Sequence, residues 1–219
     1  VFFQYSIPAV LGMLAISSAN IVDGFFIGNY VGDFGLAAIN ISFPIFSLLF
    51  GFALMLAIGS SVVSGKLIGQ GDIKSASMIF SKAIVCITLF SFITCTLLFL
   101  NIETVLYLFG ADENLTKIAI EYLSVILIFI PFLMIGVVLD YFVRVDNRPN
   151  LAFIALLSSA LINVILDWFL IVYLQKGIFG AALATGISQL ALIFILLPHF
   201  FSKKATLKFV KPIGSYIQI

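Results

Sequence analysis

The chain is 219 residues long, and 63% of its residues are hydrophobic while only 10% are charged. Because soluble domains are typically about 45–50% apolar and about 25% charged, this composition predicts an integral membrane protein and excludes an ordinary soluble domain. The formal net charge of +1 leaves no strongly basic surface of the kind that nucleic-acid binding requires, so we expect a lipid bilayer and no nucleic acid as its partner.

Six apolar runs follow one another along the chain, and each is close to the roughly 20 residues that a helix needs to cross a bilayer. The runs lack the alternation of a membrane β-barrel, so they predict an all-α polytopic membrane protein with six transmembrane helices. Pro8, Pro44 and Pro131 lie inside runs and predict interrupted or bent helices, as in a transporter, although proline is also commoner in membrane helices generally. The runs lie at about 2–27, 36–63, 76–100, 118–143, 151–174 and 178–200.

Basic residues are distributed unevenly between the two sides of the predicted membrane. Nine of the eleven Lys and Arg residues lie on the side that follows the even-numbered runs, and only Lys117 and Lys176 lie on the other. Because positively charged loops stay in the cytoplasm, both ends of the chain are predicted to be cytoplasmic, in a plasma or inner membrane. Asp72 or Ser75 is suited to cap the third helix, and Pro149 is suited to the first turn of the fifth.

Four oxygen-bearing side chains fall inside the apolar runs at similar predicted depths. Asp23 lies roughly 6 Å from the outer end of the first helix. Asn163 and Asp167 share one face of the fifth helix, and Asp167 and Thr185 each lie roughly 10 Å below the outer surface. Such oxygens suit an alkali cation, and two adjacent carboxylates can also hold one shared proton. The pattern therefore predicts a site for Na⁺ or H⁺.

Simpler explanations exist for each of these acids, because a carboxylate at a helix end can reach the outer water. Asp140, near the inner end of the fourth run, is expected to form a solvated ion pair with Arg144 one turn further on. His199 is the only histidine, and it lies at an inner helix end without a metal-binding constellation. Further candidates for the cavity or for coupling are Asn20, Tyr122, Pro8 and Asp140.

Several short motifs carry a resemblance that covers nearly the whole chain. The matching residues are Pro8, 20–23, 27–28, 35–38, 43–44, 59–61, 69–72, Arg144, Pro149, Asn163, Asp167 and 177–185. In identity, order and spacing they resemble the MATE (multidrug and toxic compound extrusion) transporters. The family has twelve helices in two six-helix lobes, so the resemblance implies that residues 1–200 are the N-terminal lobe. Residues 201–219 would then begin a cytoplasmic connection to a second lobe that is absent from this chain.

The resemblance also implies an activity and a site. The family exports small amphipathic, often cationic, organic compounds in exchange for inward Na⁺ or H⁺. In one prokaryotic branch the cation site consists of an Asp on helix one, an Asn and an Asp one turn apart on helix five, and a Thr on helix six. The residues that match this pattern are Asp23, Asn163, Asp167 and Thr185. Because the chain begins with Val1 and has no signal-peptide pattern, we expect a fragment of a longer protein.

The sequence thus predicts the N-terminal lobe of a cation-coupled multidrug efflux antiporter, with no enzyme activity and no cofactor, and with Na⁺ or H⁺ as the coupling ion. A lipid-linked saccharide flippase of the same superfamily is the alternative, although no basic residue lies in a helix core to bind pyrophosphate. A membrane-embedded enzyme would need a polar cluster at the cytoplasmic surface, where Asp140, Arg144, Asp146 and Arg148 come closest. A fragment without activity is a third alternative, because one lobe cannot alternate access by itself.

Overall fold

The computed structural model describes residues 2–211, apart from the side chains of residues 2, 4 and 5. That part of the chain is helical and contains no β-strand, and six of its helices are long and apolar enough to cross a membrane. The prediction of an all-α protein with six membrane-spanning helices is therefore confirmed. In chain order the helices are α1 (Phe2–Tyr30), α2 (Asp33–Gly69), α3 (Ile73–Leu100), α4 (Ile102–Leu108), α5 (Glu113–Val145), α6 (Pro149–Asp167) and α7 (Gly177–Leu196).

Most helices extend beyond the predicted runs at one or both ends, because an apolar run marks only the part that meets hydrocarbon and the helix continues to its cap, whereas α6 and α7 end before theirs. The predicted cap of α3 is confirmed, since Asp72 accepts a hydrogen bond of 3.0 Å from the backbone N–H of Ser75. Hydrogen bonding by Ser75, through its side chain and its backbone N–H, holds the pKa of Asp72 below its usual value. Gly71 precedes the cap with a φ of 83°, in the left-handed region that glycine adopts without a steric cost. Pro149 begins α6 as predicted.

Three helical features were not predicted from the sequence. The short helix α4 lies in the connection between the third and fourth spans, and Asp112 then caps α5 by accepting a 2.7 Å bond from the N–H of Leu115. A π-helical segment, Trp168–Tyr173, continues directly from α6, and a 3₁₀ segment, Leu197–Phe201, continues from α7. These two segments complete the fifth and sixth spans.

The prolines do not interrupt their helices, so the prediction of interrupted helices is wrong, while that of bent helices stays a prediction. α1 continues through Pro8, α2 through Pro44 and α5 through Pro131. Each proline removes one backbone N–H donor, but the helix continues on both sides of it. The departure from regular α-helix in the fifth span lies instead at Trp168–Tyr173.

α5 is the central helix, and it packs against α2, α3 and α7, while α1 lies at the edge and packs mainly against α6. Close approach depends on small residues. A Cβ on Gly186 of α7 would sit 2.2 Å from the Phe129 ring of α5, and one on Gly12 of α1 would sit 2.8 Å from Leu156 of α6. The small residues of the sixth span thus admit a close neighbour. The packing of α1 on α6 brings Asp23 to Asp167.

Candidate functional site

Two carboxylates from distant parts of the sequence meet where α1 packs on α6. Asp167 is the last residue of α6 and is completely buried, and Asp23 on α1 is partly buried. Their carboxyl groups are close enough to interact electrostatically. The structure thus brings together the two acids that sequence analysis placed at similar depths.

A small cavity of about 50 Å³ lies beside this pair, between α1, α6 and α7. Three of the four predicted site residues, Asp23, Asn163 and Thr185, line it, while Asp167 adjoins it through Asp23. Apart from these three, the lining consists of Ile16, Ala19, Asn20, Ser159, Ala160, Ser188 and Gln189. The cavity wall therefore offers many oxygen atoms, and no Lys, Arg or His contributes to it.

The carboxylates in this site lack partners. Within residues 2–211, both side-chain oxygens of Asp167 and Oδ1 of Asp23 are buried without a hydrogen bond, and neither acid forms a salt bridge there. Buried polar atoms are nearly always hydrogen-bonded, and an unpaired buried charge is costly. Two such acids in contact would repel each other if both were ionised. A bound cation or proton would supply the missing partner.

Of the further candidates, two lie at the site. Asn20 lines the cavity one turn before Asp23, and Tyr122 on α5 lies within electrostatic reach of both carboxylates. Pro8 does not line the cavity.

Asp140 is engaged elsewhere, in a two-bond ion pair with Arg144 at 3.0 and 3.1 Å. The predicted ion pair exists, but the prediction that it is solvated is wrong, because only 11% of the Asp140 side chain and 19% of the Arg144 side chain are exposed. The central position of α5 accounts for this burial.

Sequence analysis missed three polar residues of the cavity: Ser159, Ser188 and Gln189. Ser159 lies four residues before Asn163, and the other two lie three and four residues after Thr185, so helical spacing alone could have found them. The hydroxyl of Ser159 donates a 2.8 Å hydrogen bond to the carbonyl oxygen of Ser188. This bond joins α6 to α7 directly at the cavity.

The π-helical segment begins at the residue after Asp167. Its wider turn appears in the bond of 2.9 Å from the N–H of Leu174 to the carbonyl of Phe169, five residues earlier. π-Helical turns are rare and occur frequently at functional sites. Here the wider turn changes the direction of the side chains that follow Asp167, and no residue type in the sequence signals it.

A second buried carboxylate cluster lies near the opposite end of the bundle. Nε2 of His199 and Oδ2 of Asp146 are 2.6 Å apart, and the backbone N–H groups of Thr206 and Leu207 donate to Asp146 at 3.0 and 3.2 Å. Sequence analysis predicted no partner for His199. In the part of the chain that the structure describes, no group of three or more His, Cys, Asp or Glu residues could hold a metal ion.

Comparison with known proteins identifies the family. A family model described as MatE matches residues 8–169. Multidrug export protein MepA of Staphylococcus haemolyticus is 30% identical over 209 residues, covering 94% of this chain and 46% of the relative. MepA of Staphylococcus saprophyticus is 28% identical over 214 residues, covering 95% and 47%. A crystal structure of MATE in complex with MaD3S shares the fold with a TM-score of 0.91, at 24% identity, over 98% of this chain and 48% of that one.

The chain therefore spans about half the length of the relatives that it matches. The family model covers most of the chain, and the helices that carry the site are those of a multi-pass membrane protein. This chain belongs to the MatE family, the multidrug and toxic compound extrusion transporters.

Proposed function

We propose that this chain is the N-terminal lobe of a cation-coupled multidrug efflux antiporter. Na⁺ or H⁺ binds at Asp23, Asn163, Asp167 and Thr185 and moves inward as the drug moves out. The observation that carries the proposal is the pair of buried acids whose oxygens have no partner. Such atoms persist where a ligand that comes and goes completes their bonding.

The size of the cavity limits what it can bind. Its volume is about 50 Å³, whereas a water molecule takes about 30 Å³ in the liquid and sites for drug-sized ligands have about 300 Å³ or more. One small cation, or a proton with a water molecule, fits. An amphipathic organic substrate does not, so the drug binds outside this cavity, between this lobe and the second lobe that the relatives' length implies.

Binding of the cation would act on α1. The positive charge removes the repulsion between Asp23 and Asp167 and draws α1 towards α6. Pro8 lacks the N–H that would bond one turn back, which makes α1 easiest to bend in its first half. A bend there changes the surface that α1 presents to the drug, so cation entry and drug release become linked. Asn20 and Tyr122 support this step, Asn20 from the cavity wall and Tyr122 from beside the two acids.

The distribution of basic residues supports one orientation in the membrane. Nine Lys and Arg residues lie on the side of the connections after the even-numbered spans, and two lie on the other side. By the positive-inside rule the first group is cytoplasmic, and the site between Asp23 and Asp167 lies nearer the outer surface of the plasma membrane. Residues 201–211 then lie on the cytoplasmic side, and the rest of the predicted connection, 212–219, lies outside the residues that the structure describes.

The decisive experiment uses the full-length protein in proteoliposomes. Efflux of a fluorescent amphipathic cation is followed while a Na⁺ gradient and a pH gradient are imposed separately. We expect one gradient to drive efflux, and Asp23→Asn and Asp167→Asn each to abolish that response. Asp33→Asn, at an exposed position that begins α2, is the control. Unchanged efflux and ion dependence in both site variants would contradict the proposal.

The alternative functions lack a comparable observation. A flippase for a lipid-linked pyrophosphate would need basic residues in its cavity, and none lines the cavity next to Asp23. An enzyme at the cytoplasmic surface would need free acids there. Asp140 is paired with Arg144, and Asp146 is bonded to His199 and to the backbone.

A further inference from the structure

A large cleft of about 780 Å³ lies where the end of α2 meets the start of α3. Its most distinctive lining residues are three lysines, Lys74, Lys82 and Lys211. The rest of the lining is mainly apolar and consists of Val63, Leu67, Asp72, Ser75, Met78, Ile79 and Val210. Nothing in the proposed transport cycle uses this cleft, and it lies on the side of the bundle that carries the Lys and Arg residues.

The lysines of the cleft are only partly neutralised by anionic groups. Within residues 2–211 none of the three forms a salt bridge. The single acid of the lining, Asp72, caps α3, and the hydrogen bond from Ser75 keeps its pKa low, so that it is ionised and attracts Lys74. Three ammonium groups therefore face one carboxylate, and the cleft keeps an excess of positive charge.

One wall of the cleft is held in place by a segment that we call the strap, residues 205–211. The strap begins with Ala205 and Leu207 buried against the bundle, and Asp146 accepts hydrogen bonds from the N–H groups of Thr206 and Leu207. His199 completes the bonding of Asp146. The start of the strap is thereby fixed to the turn between α5 and α6.

The remainder of the strap is fixed to α3 by two serines. The N–H of Lys208 donates to Oγ of Ser77 at 3.3 Å, and the N–H of Val210 donates to Oγ of Ser81 at 2.9 Å. These bonds hold Val210 and the residue after it, Lys211, alongside α3 near Lys82, where all three line the cleft. The basic lining is therefore assembled from parts of the sequence more than a hundred residues apart.

The apolar half of the lining belongs to α2 and α3, two helices long and apolar enough to cross a membrane. Val63 is 49% exposed on a helix that spans the membrane, and Met78 and Ile79 lie beside it in the cleft. Lys82 lies about 13 Å along α3 from Ile73 at 1.5 Å per residue, which is deep enough for its alkyl chain to lie among apolar groups while its ammonium group reaches the head-group layer. A soluble anion would not require such an apolar wall.

We propose that this cleft binds one anionic phospholipid of the inner leaflet, with its phosphate between Lys74, Lys82 and Lys211 and an acyl chain against Val63 and Met78. Basic residues near the membrane attract the anionic lipids of the cytoplasmic leaflet. The cleft differs from a diffuse basic surface because its lysines converge and its strap wall is hydrogen-bonded in place. The inference is independent of the identity of the coupling ion.

The test compares two triple variants of the full-length protein that change the net charge equally. Lys74→Gln, Lys82→Gln and Lys211→Gln remove the basic lining, while Lys66→Gln, Lys203→Gln and Lys204→Gln remove basic residues that do not line the cleft. Phosphatidylglycerol retained by the purified proteins is measured by native mass spectrometry. The affinity of each protein for phosphatidylglycerol is then measured in phosphatidylcholine vesicles with and without this lipid. We expect about a tenfold or larger loss of affinity in the first variant and little change in the second.

A variant of the strap makes a separate test of the wall. Ser81→Ala removes the acceptor for Val210 and keeps all three lysines, and we expect it to weaken phosphatidylglycerol binding while the protein remains folded.

Equal losses in the two triple variants would overturn the proposal in favour of diffuse attraction. Competition by glycerol phosphate as strong as by the lipid would overturn it in favour of a soluble anion. A disulfide between Lys82→Cys and a second cysteine introduced beyond residue 211, formed with an added oxidant to the same extent with and without lipid, would overturn the proposal by showing that protein fills the cleft.

Discussion

Two clusters in this bundle contain buried carboxylates. In one the carboxylate oxygens lack hydrogen-bond donors, and in the other they have several. At the site between α1 and α6, Asp23 and Asp167 meet without a donor for three of their oxygens. Near the other end, Asp146 is also buried but accepts hydrogen bonds from His199 and from the N–H groups of Thr206 and Leu207. The difference lies in the neighbours: two helices that pack side by side have no free N–H groups to offer, whereas an irregular segment such as the strap has several.

The comparison distinguishes a structural acid from one available for binding. A fully bonded carboxylate stabilises the fold and has no capacity left for a ligand. Two buried carboxylates without hydrogen-bond partners destabilise the fold until a cation or proton binds, and binding then offsets that loss of stability. Substitutions that remove charge should therefore have opposite consequences for stability at the two clusters.

The largest effect on stability is expected for Asp146→Asn. The amide would turn a donor towards His199 or the backbone N–H groups of the strap, leaving buried donors unpaired at a cost of about 3 kcal/mol. Thermal unfolding of the full-length protein in detergent measures the change, with Asp33→Asn as the exposed control. An unchanged unfolding temperature would mean that Asp146 does not fasten the strap.

Asp167→Asn should weaken cation binding without weakening the fold. Loss of one charged ligand costs about 1.5–3 kcal/mol, which corresponds to roughly a ten- to hundredfold loss of affinity. Unfolding should occur at the wild-type temperature or higher, because an unpaired buried charge is gone. Binding of radioactive Na⁺ and release of protons into weakly buffered solution are measured together. A loss of stability as large as that of Asp146→Asn would remove the distinction between the clusters.

A smaller effect is expected for Thr185→Val, which keeps the shape of the side chain and removes its oxygen from the cavity. A neutral ligand is worth about 0.5–1.5 kcal/mol, or roughly two- to tenfold in cation affinity. Thr88→Val is the matched control, because Thr88 lies on α3 and its hydroxyl bonds to the carbonyl of Ile84. The same Na⁺ titration is used, and equal affinities for the two variants would exclude Thr185 as a ligand.

The smallest effect is expected for Ser159→Ala. It removes the hydrogen bond to the carbonyl of Ser188, with a loss of about 1 kcal/mol of stability, and leaves the four proposed ligands in place. Cation affinity should change little. This variant therefore tests whether a polar residue of the cavity joins α6 to α7 without binding the cation. A large loss of Na⁺ binding with unchanged unfolding would instead make Ser159 a ligand.

Much of the fold could be predicted because the membrane limits the choices. Continuous apolar runs of the right length can only be spanning helices, and residues such as Asp72 and Pro149 mark where helices begin. The effect of Pro8, Pro44 and Pro131 could not be predicted in this way. Whether a proline breaks a helix depends on the packing around it, and in this bundle the helices pass through all three.

The site could be predicted in part for a similar reason. Asp23, Asn163, Asp167 and Thr185 are polar residues within apolar runs, and the rise of a helix fixes their depth. Depth says nothing about which helix faces which, so the polar wall formed by Ser159, Ser188 and Gln189 was missed. The wider turn after Asp167 was missed as well, because no residue type specifies it.

The sequence by itself determined that this chain has six membrane-spanning helices, and it predicted similar depths for the acids, because hydropathy and helix rise are local properties. Only the tertiary structure decided which acids have partners. Asp146 and His199 are 53 residues apart, and Asp23 and Asp167 come from the first and fifth spans. Whether a buried carboxylate is bonded or left open depends on donors supplied by other elements, and those are positioned by packing rather than by neighbours in sequence.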